Sequence, residues 1–202
     1  MQITIDKKTG VLLAIIALLG ATVINFAVNR DGDHIDDNGM GGHMGHNSTS
    51  ANYTGADIMF LQMMIPHHQQ AVDISNLAMK TSKDSELLAL AKKIAADQAA
   101  EIIQMKAWLN DAGAGMDMGH SMDGMGGMLN DAELSALNAE TGTKFDILWL
   151  KGMTGHHDGA IHMTTMIRDA SNPDIRVFGE KVIADQTAQI EQMKAMIKRL
   201  SN

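Results

Sequence analysis

The chain repeats itself, and the repeat restricts its fold more than any other feature. DIMFLQMMIPHHQQAVD from Asp57 aligns with DILWLKGMTGHHDGAIH from Asp146, pairing Met64 with Met153, His67 with His156, His68 with His157 and Ala71 with Ala160 at an offset of 89. Downstream, KKIAADQAAEIIQMKAWL from Lys92 aligns with EKVIADQTAQIEQMKAMI from Glu180 at an offset of 88. That second match pairs Asp97 with Asp185, Gln98 with Gln186, Glu101 with Gln189 and Met105 with Met193. Both segments have helical periodicity, and no alternating strand pattern of useful length occurs. Each half is therefore one helical hairpin, too small for a core of its own, and the two must bury their apolar stripes against each other. The expected fold is all-α, an antiparallel four-helix bundle with short connections within each pair.

Local signals set the helix limits. Thr54 and Asp57 have the spacing of a capping box and open a helix expected over 56–80. A second is expected over 84–111, stopped by Gly113. Asn130 and Glu133 cap a short helix over 130–139, a further helix is expected over 143–170, and Asn172-Pro173 opens the last, over 173–200.

Three other regions fall outside the bundle. Residues 1–30 contain VLLAIIALLGATVINFAV at 11–28, an uncharged run that as a helix would cover about 27 Å, close to the hydrocarbon thickness of a bilayer. Lys7 and Lys8 precede it and Asp31 and Asp33 follow it, so the positive-inside rule keeps the N-terminus cytoplasmic and exports the remainder. A transmembrane anchor is favoured over a cleaved signal peptide, because Phe26-Ala27-Val28-Asn29 lacks a small-x-small cleavage site. The bundle then faces the periplasm from the outer side of the inner membrane, or is secreted if the segment is cleaved. Residues 31–55 are rich in Gly, Asp, Asn, Ser and His and read as a flexible tether. Residues 113–128, GAGMDMGHSMDGMGGM, read as a second flexible segment inside the 56–202 domain.

The helical stripes carry the chemistry. Residues three, four and seven apart share a face, which aligns Leu61, Met64, His67, His68 and Ala71 in one half and Leu150, Met153, His156, His157 and Ala160 in the other. In the partner helices the apolar stripe is interrupted by Gln98 and Glu101, and again by Gln186 and Gln189. A buried amide or carboxylate without a partner costs about 1–3 kcal/mol, so these four side chains are expected to meet the histidine pairs. Pro66 and Gly155, each just before a His pair, are expected to bend the chain there.

Composition decides which chemistry is open. A net charge of −8 disfavours nucleic acid as a partner. With no cysteine there is no disulfide, thiolate metal site or Cys nucleophile. Against four Phe, two Trp and one Tyr stand 18 methionines. Thioether sulfur selects Cu(I), and imidazole also serves Cu(II), Zn or Ni. Met64 with His67 or His68, Met153 with His156 or His157, and His162 with Met166 are candidate ligand pairs at helical spacing, with Met59 and Met63 on a neighbouring face. Met105 and Met193 are also candidates, although packing is the ordinary role of a core methionine. Outside the helices, His43, Met44 and His46, and Met116, Met118, His120, Met122, Met125 and Met128, have no apolar period to explain them as core. Sites of several strengths point to storage or exchange of metal rather than catalysis.

At these residues the chain resembles a bacterial family long labelled a domain of unknown function, with a ferritin-like four-helix core. Its hallmark is FD-x-x-[FW]-L-x-x-M-x-x-HH-x-x-A followed by Q-x-x-E-I-x-x-M-x-x-W-L. Here the first part reads Phe145, Asp146, Trp149, Leu150, Met153, His156, His157 and Ala160, with Gln186, Met193 and Met196 downstream. The first half reads Asp57, Phe60, Leu61, Met64, His67, His68 and Ala71, then Gln98, Glu101, Met105, Trp108 and Leu109. The resemblance covers 54–200 and implies Cu(I) binding by Met and His in copper resistance, with Ag(I) also taken. Copper-accepting or copper-donating exported proteins are the implied partners. Gln189 stands where the family has Glu and Met196 where it has Trp, implying a weaker second site. The alternatives are a ferritin-like di-metal oxidase or iron store, whose Glu-x-x-His motif the long helices lack, and an interaction module that binds no metal.

Overall fold

The computed structural model describes residues 52–116 and 125–202. Among them every regular element is helical: α1 (Gly55–Thr81), α2 (Ser85–Asp111), a 3-10 turn (Met125–Gly127), α3 (Asp131–Ala139), α4 (Gly142–Met163), a second 3-10 turn (Thr164–Ile167) and α5 (Pro173–Leu200). The hairpins α1/α2 and α4/α5 face each other chiefly through α1 and α4. No described helix is long and apolar enough to cross a membrane. The 11–28 run expected to do so lies outside the described residues, as does the tether up to residue 51.

The caps form as their sequences require. The Asp57 amide donates to Thr54 Oγ1 at 3.2 Å while the Thr54 amide donates to Asp57 Oδ2 at 2.7 Å, closing the capping box. Asn130 and Glu133 repeat the arrangement, and Asn172 caps α5 with Pro173 in its first turn. Tyr53, just before α1, is buried against the same core.

One helix ends early. The pattern suggested a helix over 143–170, but α4 stops at Met163 and tightens into the 3-10 turn. Thr164 and Thr165 donate their hydroxyls to the carbonyls of Ile161 and His162 at 2.7 and 2.8 Å, drawing acceptors away from the α ladder. Gly179 on α5 makes room for the turn, since a Cβ there would stand 2.9 Å from Ile167 Cδ1.

The core consists of two apolar clusters. One gathers Phe60, Leu61, Met64, Met105, Leu109, Met163 and Phe178; the other gathers Ile74, Leu87, Ile94, Phe145, Trp149, Met153 and Met193. Along all four long helices the boundary between them falls at the interrupted stripes: His67-His68, Gln98 and Glu101, His156-His157, Gln186 and Gln189. A single polar layer crosses the middle of the bundle. Pro66 and Gly155 lie within unbroken helical stretches of α1 and α4.

Candidate metal centre

All four histidines are fully buried at the α1–α4 interface. The rings of His67 and His156 stack with centroids 3.7 Å apart and planes 33° from parallel, and each lies 6.2 Å from its sequence neighbour's ring. Each histidine gives its Nε2–H to an oxygen. His68 donates to Glu101 Oε2 at 2.9 Å and His157 to Gln189 Oε1 at 2.6 Å. His156 donates to the backbone carbonyl of His67 at 3.0 Å, and His67 to that of Gly126 at 2.8 Å. The four Nδ1 atoms are buried with no hydrogen-bond partner. An orphaned buried acceptor is a liability of roughly 1–3 kcal/mol, and natural interiors rarely keep four at one level.

Two of the four expected polar contacts form. Glu101 and Gln189 reach the histidines, whereas Gln98 leaves both amide atoms and Gln186 its Oε1 buried and unpartnered. Within one helix the three-residue spacing puts both side chains near the layer; the rotation of α2 and α5 decides which of them touches a ring.

Burial governs the electrostatics. Desolvation pushes His67 down to about 3 and His157 to about 4, and holds His156 well below the ordinary imidazole value, the neighbouring imidazoles adding to each shift. Hydrogen bonds to Gly126 and Gln189 oppose the effect at His67 and His157 without reversing it. For Glu101 burial alone would raise the carboxyl, but His68 and Lys181, whose Nζ stands 2.8 Å from Oε1, outweigh it and keep the carboxyl below its usual range. Lys181 also pairs with Asp185 at 2.6 Å, linking the buried His68 to the surface through a carboxylate.

The contact that covers His67 is not among the sequence expectations. The Gly126-Gly127 turn lies against α4 so closely that a Cβ on Gly159 would stand 1.5 Å from the Gly126 carbonyl oxygen, and one on Gly127 2.2 Å from that of Gly155. Gln70 secures the chain just beyond: its side-chain amide donates to Leu129 O at 2.9 Å, and its Oε1 accepts from Leu129 N at 2.8 Å. The described end of the segment expected to be flexible is thus fastened to the bundle. Glycines spaced four apart on α4 opposite a Gly-Gly pair were the available signal. Met163, absent from the expected ligands, has its Sδ beside the same turn.

The other expected ligands are dispersed. Met64, Met105, Met153 and Met193 are fully buried in the apolar clusters on either side of the layer. Met59 and Met116 are exposed, and Met63 and Met128 are half-buried. His162 is exposed at the end of α4, and Met166 is half-buried in the 3-10 turn that follows. His43, Met44, His46, Met118, His120 and Met122 lie outside the described residues, and of Met125 only the backbone is described. Among the described residues no three His, Asp or Glu side chains are gathered closely enough to hold a metal ion by themselves. Any metal held at the histidine layer would need thioether sulfur or a low coordination number, which suits soft monovalent ions.

Residues 57–197 match the model of DUF305, a domain of unknown function. The chain belongs to the DUF305 family. Among solved DUF305 structures, a putative secreted protein from Streptomyces coelicolor is 28% identical with a TM-score of 0.68, covering 72% of this chain and 92% of that one. CopM in its Cu(II)-bound form is 31% identical with a TM-score of 0.59, covering 71% of this chain and 96% of that one. Its Cu(I)-bound form is 29% identical with a TM-score of 0.60, covering 74% and 99%, and CopM has also been solved with silver. No curated protein sequence matches the chain.

Proposed function

We propose that this DUF305 protein is an exported copper-binding protein that sequesters Cu(I) or passes it on, and takes Ag(I), through Met and His in copper resistance or homeostasis. It performs no catalysis. The donor set carries the reading: four buried imidazoles with one unpartnered nitrogen each, in a chain whose only sulfur is thioether. The copper- and silver-bound states of CopM, on the same fold, support it. Thioethers also suit an oxidising compartment, where thiolates pair or oxidise. The apolar 11–28 run and the likeness to a putative secreted protein support export, with that run as membrane anchor.

Titrating the full chain in detergent with Cu(I), Ag(I), Cu(II), Zn(II) and Fe(II), with native mass spectrometry and X-ray absorption at copper, tests the reading. Retained Cu(I) or Ag(I) with sulfur and nitrogen neighbours is the expected result. Preference for iron with oxygen neighbours would replace it with the di-metal oxidase, and no retained metal with an interaction module.

A further inference from the structure

We propose that Nδ1, not Nε2, is the metal-facing atom of the four core histidines, and that Glu101 and Gln189 are positioning residues that keep it so. The inference rests on the copper reading above and specifies the atoms within it. A neutral imidazole carries one ring proton, and which nitrogen holds it follows from the partner of the other. Here every Nε2 faces an oxygen that accepts: two backbone carbonyls, the Glu101 carboxylate and Gln189 Oε1, at 2.6 to 3.0 Å. In the neutral form of each ring the proton therefore sits on Nε2. Every Nδ1 is left with a lone pair in the interior and no hydrogen to accept. This is the arrangement of metal-ligating histidines, in which the nitrogen away from the metal donates to a carbonyl or carboxylate that fixes ring and tautomer.

The repeat makes the two halves unequal. His68 donates to a carboxylate that Lys181 holds from its other oxygen, whereas the equivalent His157 donates to a neutral amide. A carboxylate partner raises the basicity of the remaining nitrogen more than an amide does. Nδ1 of His68 is thus the stronger donor, and exchanging the acid and amide between the halves should reverse the order.

The test uses the full chain with ¹⁵N-labelled histidine, read by long-range proton–nitrogen spectra without metal and with added Ag(I), which is diamagnetic and redox-inert. The expected spectra show all four rings protonated at Nε2, with silver moving the Nδ1 resonances. Glu101→Gln should weaken silver binding at His68 about tenfold and leave His157 unchanged, while Gln189→Glu should strengthen it at His157. Rings protonated at Nδ1 in the free protein would overturn the assignment. So would silver uptake that moves only methionine methyl resonances, a result that leaves the copper reading standing. No silver uptake at all would remove both. The wild-type spectra decide the nitrogen assignment even where a variant fails to fold.

Discussion

His67 and His156 stack across the bundle at 3.7 Å, yet they do not reciprocate each other's hydrogen bonds. His156 donates to the backbone carbonyl of His67, while His67 donates away from its partner to Gly126 in the turn near the end of the methionine-rich segment. The repeat is symmetric in its helices and asymmetric in what covers its centre.

Acid should unfold the bundle early. In the unfolded chain His67, His156 and His157 titrate near 6.5, whereas in the fold burial lowers them to about 3, well below ordinary, and about 4 respectively. Between those values the unfolded state binds more protons, so their neutral burial is fully tolerated above pH 6.5 and stability falls as pH drops towards the folded values. Each histidine contributes a slope of about 1.4 kcal/mol per pH unit, or roughly 2 kcal/mol lost between pH 7 and pH 5. Urea denaturation at the two pH values measures it; equal stabilities would show that the rings are not buried neutral.

Gly159→Ala should dislodge the Gly126-Gly127 turn, because its Cβ would overlap the Gly126 carbonyl. Overpacking of this kind costs about 1–3 kcal/mol. Faster hydrogen exchange at the Leu129 amide, held by Gln70, should accompany the loss. Wild-type protection of that amide in the variant would contradict the close seating.

Met64→Leu and Met153→Leu remove sulfur while nearly conserving volume, so the cost to the fold should stay below about 1.5 kcal/mol. Met116→Leu, at an exposed position, should leave the melting temperature unchanged and lower the number of silver ions bound. Native mass spectrometry of the three variants separates packing from ligation, and unchanged stoichiometry in all of them would exclude these sulfurs as ligands.

Trp149→Phe should cost about 2 kcal/mol or more. The indole N–H donates to the Ile74 carbonyl at 3.0 Å inside the core, and phenylalanine would remove this second bond to a helical carbonyl and leave a gap beside it. Thermal unfolding provides the comparison, and a wild-type melting temperature would place the bond outside the stable core.

The repeat, the caps and the interrupted stripes were legible because each is local. Capping depends on neighbours three residues apart, and a 3.6-residue period places His67, His68, Met64 and Glu101 on inward faces before any partner is known. Even the level of the polar layer follows from sequence, since equal spacings in two hairpins put the interruptions opposite each other. The early end of α4 was not legible, because a continuing apolar period outweighed the two threonines that turn it.

Sequence by itself therefore determined the helices, their pairing and the composition of the middle layer. Tertiary structure alone decided which members of that layer meet: Glu101 and Gln189 rather than Gln98 and Gln186, and Gly126 rather than a helix residue on His67. Helical periodicity fixes a face to within a turn, but hydrogen bonds select among side chains by fractions of an ångström. That choice depends on how far each helix is rotated and slid against the others, and on a glycine turn with no periodicity to announce where it lands.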